Sequence, residues 1–307
     1  MPGVSLTIND KKVRVPAGTT ILEAARELNI TIPTLCHDKR LSPFGACRLC
    51  VVEVRGRKNL PAACVTPVEE GMTVLTESPA VVEARRTIIE LLLANHPLDC
   101  LTCEKSGNCR LQDYAYRYGV KRTPFEGTRD QLPLDDNNPF IIRDPNKCIL
   151  CGKCVRACQE IRGQAVLGFA FRGPATRVVP PLDVSLGESD CVFCQNCVAV
   201  CPTGALRDKY LAGKGRWWEF QPEAVTCPFC ANGCHFYLLR KEGKVVAVAA
   251  GGAAPGRPMC LRGRLALTLI FCEEPPQPQI KTEKGFAAVS WTEALGLEEL
   301  AGKLWPK

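Results

Sequence analysis

Aromatic side chains are scarce, at 7% of 307 residues, and histidine is scarcer, with three. A chain so poor in large rings has little with which to fill a wide apolar core. Long apolar runs are missing too: stretches such as Leu91–Ala94 and Leu265–Cys272 are far too short to span a bilayer. The opening MPGVSLTIND carries neither a basic segment leading into an apolar one nor a twin-arginine signal, so no leader is expected. No Gly-x-Gly-x-x-Gly follows a strand pattern and no Walker A loop occurs. Gly251-Gly252 runs into Ala-Ala-Pro and reads as a turn. No nucleotide- or flavin-binding module is therefore expected, and no carboxylate pair or Ser/His/Asp set stands out for acid–base work.

What the chain has in excess is cysteine, with 20 residues. Without a leader the expected compartment is cytoplasmic and reducing, where clustered cysteines are ligands more often than disulfides. Nineteen of them, with His96, sort into five groups of four. The strongest signal is a repeat: CILCGKCVRAC at 148–158 returns as CVFCQNCVAVC at 191–201, 43 residues on. Each copy has the spacing C-x2-C-x2-C-x3-C, and Pro202 completes the bacterial ferredoxin motif in the second. In such pairs the fourth cysteine serves the other cluster. Cys148, Cys151, Cys154 and Cys201 are thus expected to hold one [4Fe–4S] cluster, and Cys191, Cys194, Cys197 and Cys158 the other. Zinc, which favours paired C-x2-C spacings, fits the triple spacing poorly.

The other groups follow. Cys36, Cys47, Cys50 and Cys64 suit a [2Fe–2S] cluster, although zinc competes on spacing alone and the run is not plant-type. His96, Cys100, Cys103 and Cys109 give three thiolates and an imidazole. Three cysteines within ten residues lack a fourth partner, and His96 stands four residues upstream. A neutral imidazole raises the potential relative to an all-thiolate site. Cys227, Cys230, Cys234 and Cys260 make the last [4Fe–4S] set. Cys272 ends an apolar run and reads as a buried thiol. His37 and His235 each adjoin a cysteine and read as neighbours of the sites.

The elements around these runs are short, and the expected fold class is α+β. Val4, Leu6 and Ile8 alternate, Asn9-Asp10 turns, and Val13 and Val15 resume, which predicts a hairpin. Thr20 and Glu23 form a capping box for a helix over Ile21–Leu28. Val51–Val54 and Met72–Leu75 supply further strand, giving a β-grasp-type unit at 1–79. Glu77–Asn95 predicts an amphipathic helix with Val81, Ile88, Leu91 and Leu92 inward; it opens a His–Cys module at 80–120. Residues 121–147 read as a connector. A two-[4Fe–4S] ferredoxin-like module is expected at 138–212 and a further [4Fe–4S] module at 220–275, with strands at Phe236–Leu239 and Val245–Val248. A Pro-rich, then helical, tail covers 276–307. None of these units is large enough for a big core, so bound metal is expected to supply much of their folding energy.

The formal net charge of +7 would ordinarily suggest a polyanionic partner. Thiolate-ligated clusters carry roughly −2 each and a His-ligated one roughly −1, about −9 together, which brings the loaded chain to about −2. The basic excess then reads as counter-charge, and no aromatic-interleaved basic stripe points to nucleic acid.

These motifs, in this order, resemble the N-terminal electron-transfer region of the large iron–sulfur subunit of respiratory NADH dehydrogenase. The same region of iron-only hydrogenases and of NAD-linked formate dehydrogenase alpha subunits is similar. HPLDCLTCEKSGNCRLQDYA resembles the family's His–Cys signature and RDPNKCILCGKCVRAC its ferredoxin-like run. CPFCANGC with MCLRGR resembles the cluster-binding start of molybdopterin oxidoreductases. VSWTEALGLEELAGKL resembles only the first helix of the pterin domain that follows in formate dehydrogenases. The position after Cys260 that bridges cluster and pterin in that family falls on Arg262, for which a relay role and a structural role stand level.

The resemblance implies an electron-transfer subunit of a multi-subunit NAD(P)-linked formate dehydrogenase or hydrogenase complex, with no catalytic site of its own. Its implied partners are a flavin- and NAD(P)H-binding iron–sulfur subunit, a small [2Fe–2S] thioredoxin-like subunit, a formate dehydrogenase or hydrogenase catalytic subunit, and ferredoxin with flavin-based bifurcation. The alternatives are a split formate dehydrogenase component completing a molybdopterin site, an NADH dehydrogenase subunit, or a zinc-rich scaffold. Elemental analysis of the purified chain separates the last from the rest. About eighteen irons per chain are expected for one [2Fe–2S] and four [4Fe–4S] clusters; several zincs without visible absorbance would sink the iron reading.

Overall fold

The computed structural model describes residues 3–127, 131–252, 260–272, 277–283, 285–294 and 296. The N-terminal alternation folds as read: β1 (Gly3–Ile8) and β2 (Lys11–Pro16) pair antiparallel, with Asn9 and Asp10 at φ 44° and 64° in the turn. Asn and Asp tolerate this left-handed region better than other side chains. The Thr20/Glu23 capping box is present and starts α1 (Ile21–Glu27), whose Ile21, Leu22, Ala24 and Ala25 are buried. β3 (Glu53–Val54) and β4 (Thr73–Leu75) complete a sheet of order β2-β1-β4-β3, with β1 and β4 parallel. The core of this unit joins both faces of that pattern: Leu6, Ile8 and Val74 from the sheet, Ile21 and Leu22 from the helix.

Ser78 caps α2 (Pro79–Ala94), its hydroxyl accepting from the Val81 amide. The inward face agrees with the expected one at Val81 and departs from it at Leu91. Leu91 is exposed, Ile88 and Leu92 are half-buried, and the buried stripe is Val81, Arg85 and Ile89. These three recur at every fourth residue, so the helix phase is regular; a buried arginine stands where an apolar residue would have marked it. Arg85 donates to the Val51 carbonyl at 2.8 Å, to Tyr118 Oη at 3.0 Å and to Glu77 at 2.9 Å. It thereby joins the segment just before β3, α2 and the end of α3 (Arg110–Arg117).

The segment expected as a connector is structured in its later part. β5 (Ile141–Arg143) lies there, and buried Asp135, Asn138 and Asp144 accept or donate in defined bonds. α4 (Lys153–Arg156) follows and runs into a single π-type turn, Ala157–Arg162. Then come β6 (Gly168–Ala170), β7 (Arg177–Val179), α5 (Asn196–Val200) and β8 (Leu206–Asp208). β5 pairs with β8 and β6 with β7, so the strand before the first cysteine run closes against the strand after the second.

A three-stranded sheet of β9 (Gln221–Thr226), β10 (His235–Lys241) and β11 (Lys244–Gly252) precedes α6 (Leu261–Phe271). Its Phe236, Leu238, Val245 and Val248 pack with Leu267 and the buried Cys272. The tail contains a hairpin as well as a helix. β12 (Gln279–Thr282) pairs with β13 (Gly285–Ala288), and α7 (Trp291–Ala294) is the described part of the expected helix. Phe286 of β13 packs edge-on against Phe140 and Phe193, with centroids 6.4 and 6.0 Å away. Among the described residues no helix is long and apolar enough to cross a membrane.

Replacing Arg85 by Ala should cost about 2–4 kcal/mol, because the Val51 carbonyl loses its donor and a cavity opens. Arg85→Met, which keeps the volume, should cost less. Chemical denaturation measures both, and an Ala variant within about 0.5 kcal/mol of the parent would contradict the role given to this side chain.

Candidate metal centres

The backbone around the repeat explains why these residues suit sulfur ligation. Leu150 and Gly152 in the first run, and Phe193 and Gln195 in the second, all adopt positive φ, at 52°, 66°, 50° and 62°. The Leu150 amide points at Cys148 Sγ and the Phe193 amide at Cys191 Sγ, each at 3.4 Å. Amides turned inward this way form an anion-binding nest. Gln195 holds the strained conformation while its buried side chain donates to the Phe140 carbonyl at 3.2 Å. Gly152 has a second reason for lacking a side chain: a Cβ there would lie 2.9 Å from the Phe44 ring.

The two runs interleave in space. Cys148, Cys151, Cys154 and Cys201 line one small cavity; Cys158, Cys191, Cys194 and Cys197 line another. Burial pushes the Cys148 thiol up to about 11 and the Cys151 thiol up to about 12, with the Cys201 sulfur adding to both. Neutral thiols are favoured there only while nothing positive sits between the sulfurs.

Cys36, Cys47, Cys50 and Cys64 are all buried. Cys36 hydrogen-bonds with Cys47 and Cys64, which lowers its pKa, and Cys50 with Cys64. The Cys47 amide also points at Cys36 Sγ at 3.4 Å. Arg48, between two of these cysteines, is at φ 57°.

His96 is buried with Cys103 and Cys109, while Cys100 is exposed. Its Nδ1 lies 2.8 Å from the Pro97 carbonyl, which fixes Nδ1 as the donor and leaves Nε2 as the lone-pair nitrogen. That Nε2 is buried without a hydrogen-bond partner. A buried acceptor left without a donor is costly, and a metal ion at that nitrogen removes the cost. Arg216 holds the loop by donating to the Leu101 and Cys103 carbonyls, both at 2.6 Å.

Cys234 lies within electrostatic reach of Cys227, Cys230 and Cys260. The Cys227 amide donates to the Cys234 carbonyl at 2.8 Å, and Cys260 caps α6 by accepting from the Gly263 amide at 3.4 Å. Gly263 allows this approach, since a Cβ would sit 2.9 Å from Cys227 Sγ. Arg262 is exposed, and no ion pair to it is formed among the described residues. Arg264, two positions on, is the buried arginine of that helix. It pairs with Asp208 at 2.6 and 2.9 Å and ties the helix to β8.

The residues that the sequence reading missed are cations at the junctions. Arg156 is buried on α4 and donates to the Cys36 carbonyl at 2.6 Å and to the Ser42 carbonyl. Its guanidinium also lies 5.1 Å from the Phe44 ring centroid. Lys153 is buried beside Asp38 at 3.5 Å, and burial pulls its pKa down. Nothing in a linear reading marks these residues, because Arg156 and Cys36 are 120 positions apart.

Among the described residues no group of three His, Cys, Asp or Glu side chains is drawn close enough for one metal ion.

Three family models match along the chain. Residues 2–79 match a 2Fe-2S iron-sulfur cluster binding domain. Residues 85–124 match the NADH-ubiquinone oxidoreductase-G iron-sulfur binding region, and 147–205 a 4Fe-4S dicluster domain. In the crystal structure of an NAD+-reducing [NiFe]-hydrogenase in the H2-reduced state, one chain is 35% identical with a TM-score of 0.65; the match covers 69% of this chain and 90% of that one. The chain belongs to the family of the NADH dehydrogenase large iron–sulfur subunit and its hydrogenase counterparts. Within this family, the NADPH-Fe(3+) oxidoreductase subunit alpha of Geobacter sulfurreducens is 39% identical over 302 residues, 98% of this chain and 35% of that protein. The NADP-reducing hydrogenase subunit HndD of Solidesulfovibrio fructosivorans is 46% identical over 282 residues, 88% of this chain and 46% of that one. The chain therefore spans between a third and a half of the length of these curated relatives. It carries iron–sulfur domains of both the 2Fe–2S and the 4Fe–4S kind, the electron-transfer region of the family.

Arg156→Ala should loosen the Cys36–Ser42 loop, since two carbonyls lose a charged donor worth about 1.5–3 kcal/mol. Amide exchange over residues 36–46 should speed up by about tenfold or more. Unchanged protection would mean that the loop is held by something else.

Proposed function

We propose that this chain is a five-centre electron relay: one [2Fe–2S] and four [4Fe–4S] clusters on the five sets assigned above. The module limits 1–79, 80–120, 138–212, 220–275 and 276–307 belong to this reading, and the family matches support the first three. So do the four-stranded sheet with its single helix, which suits a β-grasp, and the paired β5/β8 closure, which suits a two-cluster ferredoxin unit. The observation that carries the reading is the interleaving of the two runs, with Cys201 among the first three cysteines and Cys158 among the second three.

The bound clusters would supply one-electron tunnelling between centres. The protein's part is to fix them, keep water out and set the local charge. The nests and buried thiols of the repeat do the first two, and the buried Lys147, Lys153 and Arg156 the third. The partners in this reading, implied by the family resemblance, are an NAD(P)H-linked flavin subunit, a small [2Fe–2S] subunit, and a hydrogenase or formate dehydrogenase catalytic unit; the hydrogenase names among the relatives support the last. Bifurcation through ferredoxin, a cytoplasmic setting and a relay position for Arg262 complete the proposal.

Cys201→Ser tests the ligand exchange. It should remove the electron paramagnetic resonance signal of the centre on Cys148, Cys151 and Cys154, and leave that on Cys191, Cys194 and Cys197. Loss of the second signal instead would assign Cys201 to its own run. At the level of the complex, NAD(P)H oxidation that stays coupled to the terminal acceptor at full rate without this chain would end the relay reading.

A further inference from the structure

We infer that Lys147 and Asp99 are an opposed pair of fixed charges that sets the reduction potential of the His96 centre, the lysine raising it and the aspartate lowering it. The inference rests on the ligand set proposed above, His96, Cys100, Cys103 and Cys109.

Lys147 stands directly before Cys148, at the end of a turn opened by Asp144. It is only 7% exposed, an uncommon state for an ammonium. Nζ lies 2.8 Å from Asp99 Oδ2 and 3.4 Å from Asp144 Oδ2. Its stem runs beside the sulfur of the neighbouring site. A Cβ built on Gly204 would meet Cys103 Sγ at 3.1 Å and Lys147 Cδ at 3.2 Å, so both flank the same glycine. The Lys147 charge interacts with His96, Cys100 and Cys103. Backbone contacts hold it there: Thr203 Oγ1 donates to the Lys147 carbonyl at 2.8 Å, and the Arg110 amide donates to the Pro202 carbonyl at 3.0 Å. The ammonium is therefore built into the seam between the His96 site and the repeat.

Asp99 faces it from the other side, next to Cys100. Its Oδ2 takes the lysine, while Oδ1 is buried with no hydrogen-bond partner. Lys147 is weakly screened by salt because it is buried, whereas Asp99, with 39% of its side chain exposed, is screened more and has the smaller effect. Reduction adds one electron to a centre whose ligands are already anionic. A nearby fixed cation favours the added charge and a nearby fixed anion opposes it. Asp144 also accepts from the Asn146 amide and side chain, at 3.2 Å each, so more of its charge is satisfied locally.

Potentiometric titration of the cluster-loaded full chain in its native assembly, followed by electron paramagnetic resonance, tests the pair. His96→Cys first identifies the signal by changing its line shape. Lys147→Gln should then lower the midpoint potential of that signal, Asp99→Asn should raise it, and Lys147→Arg should restore it close to the parent value. A purely structural role would move the two neutral variants in the same direction or leave both unchanged, and either result overturns the inference. If Lys147→Gln does not assemble, Asp99→Asn and Lys147→Arg still give the sign and the rescue. If His96→Cys alters no signal, the ligand set is wrong and the inference falls with it.

Discussion

Sulfur has to be held inside a small protein as an anion, and the rest of this structure follows from that constraint. A thiolate cannot be packed like a methyl group, and burial alone drives the thiols of the repeat to remain protonated. The chain answers with backbone amides curled toward the sulfurs and with cations placed where ordinary domains put leucine. Lys147, Lys153, Arg156 and Arg264 are all buried, and each bridges two segments that are distant in sequence. Their partners differ in a useful way. Lys147, Lys153 and Arg264 meet carboxylates, while Arg156 spends its guanidinium on carbonyl oxygens and an aromatic ring. Arginine suits that last task because its planar fork can serve several acceptors at once.

This also accounts for a molecule without one dominant core. Among the described residues the larger apolar clusters are separate: one under the N-terminal sheet, one around α2 and α3, one about the repeat and one beneath β10 and β11, with two smaller ones beside them. The seams between them are polar and specific. Arg85 reaches from α2 to the Val51 carbonyl, Arg216 grips the loop after His96, and the Thr34 amide donates to Tyr114 Oη at 3.2 Å. Seams of this kind fix distances between modules better than greasy contacts of the same area, because each bond has a direction. For a chain whose task is tunnelling, fixed distance is the property that matters.

Local signals were legible in the sequence and distant ones were not. The first hairpin, the Thr20/Glu23 capping box and the two cysteine runs are written within a few residues of one another, and the structure contains each of them. The inward face of α2 was misassigned at Leu91 because Arg85, a charged residue, holds the buried position whose phase an apolar residue would have revealed. The junction cations were invisible for the same reason: lysines and arginines at large usually lie in solvent, and only their remote partners show that these do not. The tail hairpin was hidden by its proline-rich approach. What fixes it is Phe286 finding Phe140 and Phe193, far upstream. Arg262 stands two positions after the last cysteine of its set but is exposed, and Arg264, two positions on, makes the buried contact.

The interleaving of Cys158 and Cys201 bears on how such a molecule is built as well as on how it works. Each cavity takes three sulfurs from a tight local loop and the fourth from the other copy, so neither half has a complete set until both have folded. The closing contacts span 47 residues or more for Cys201 and 33 or more for Cys158, and ordering that much chain carries an entropic cost that local loops escape. A nascent chain released from the ribosome after the first run would display Cys148, Cys151 and Cys154 without Cys201, and Cys158 without its three companions. On the proposed ligand exchange, metal delivered to one copy is secure only once its sibling has been made.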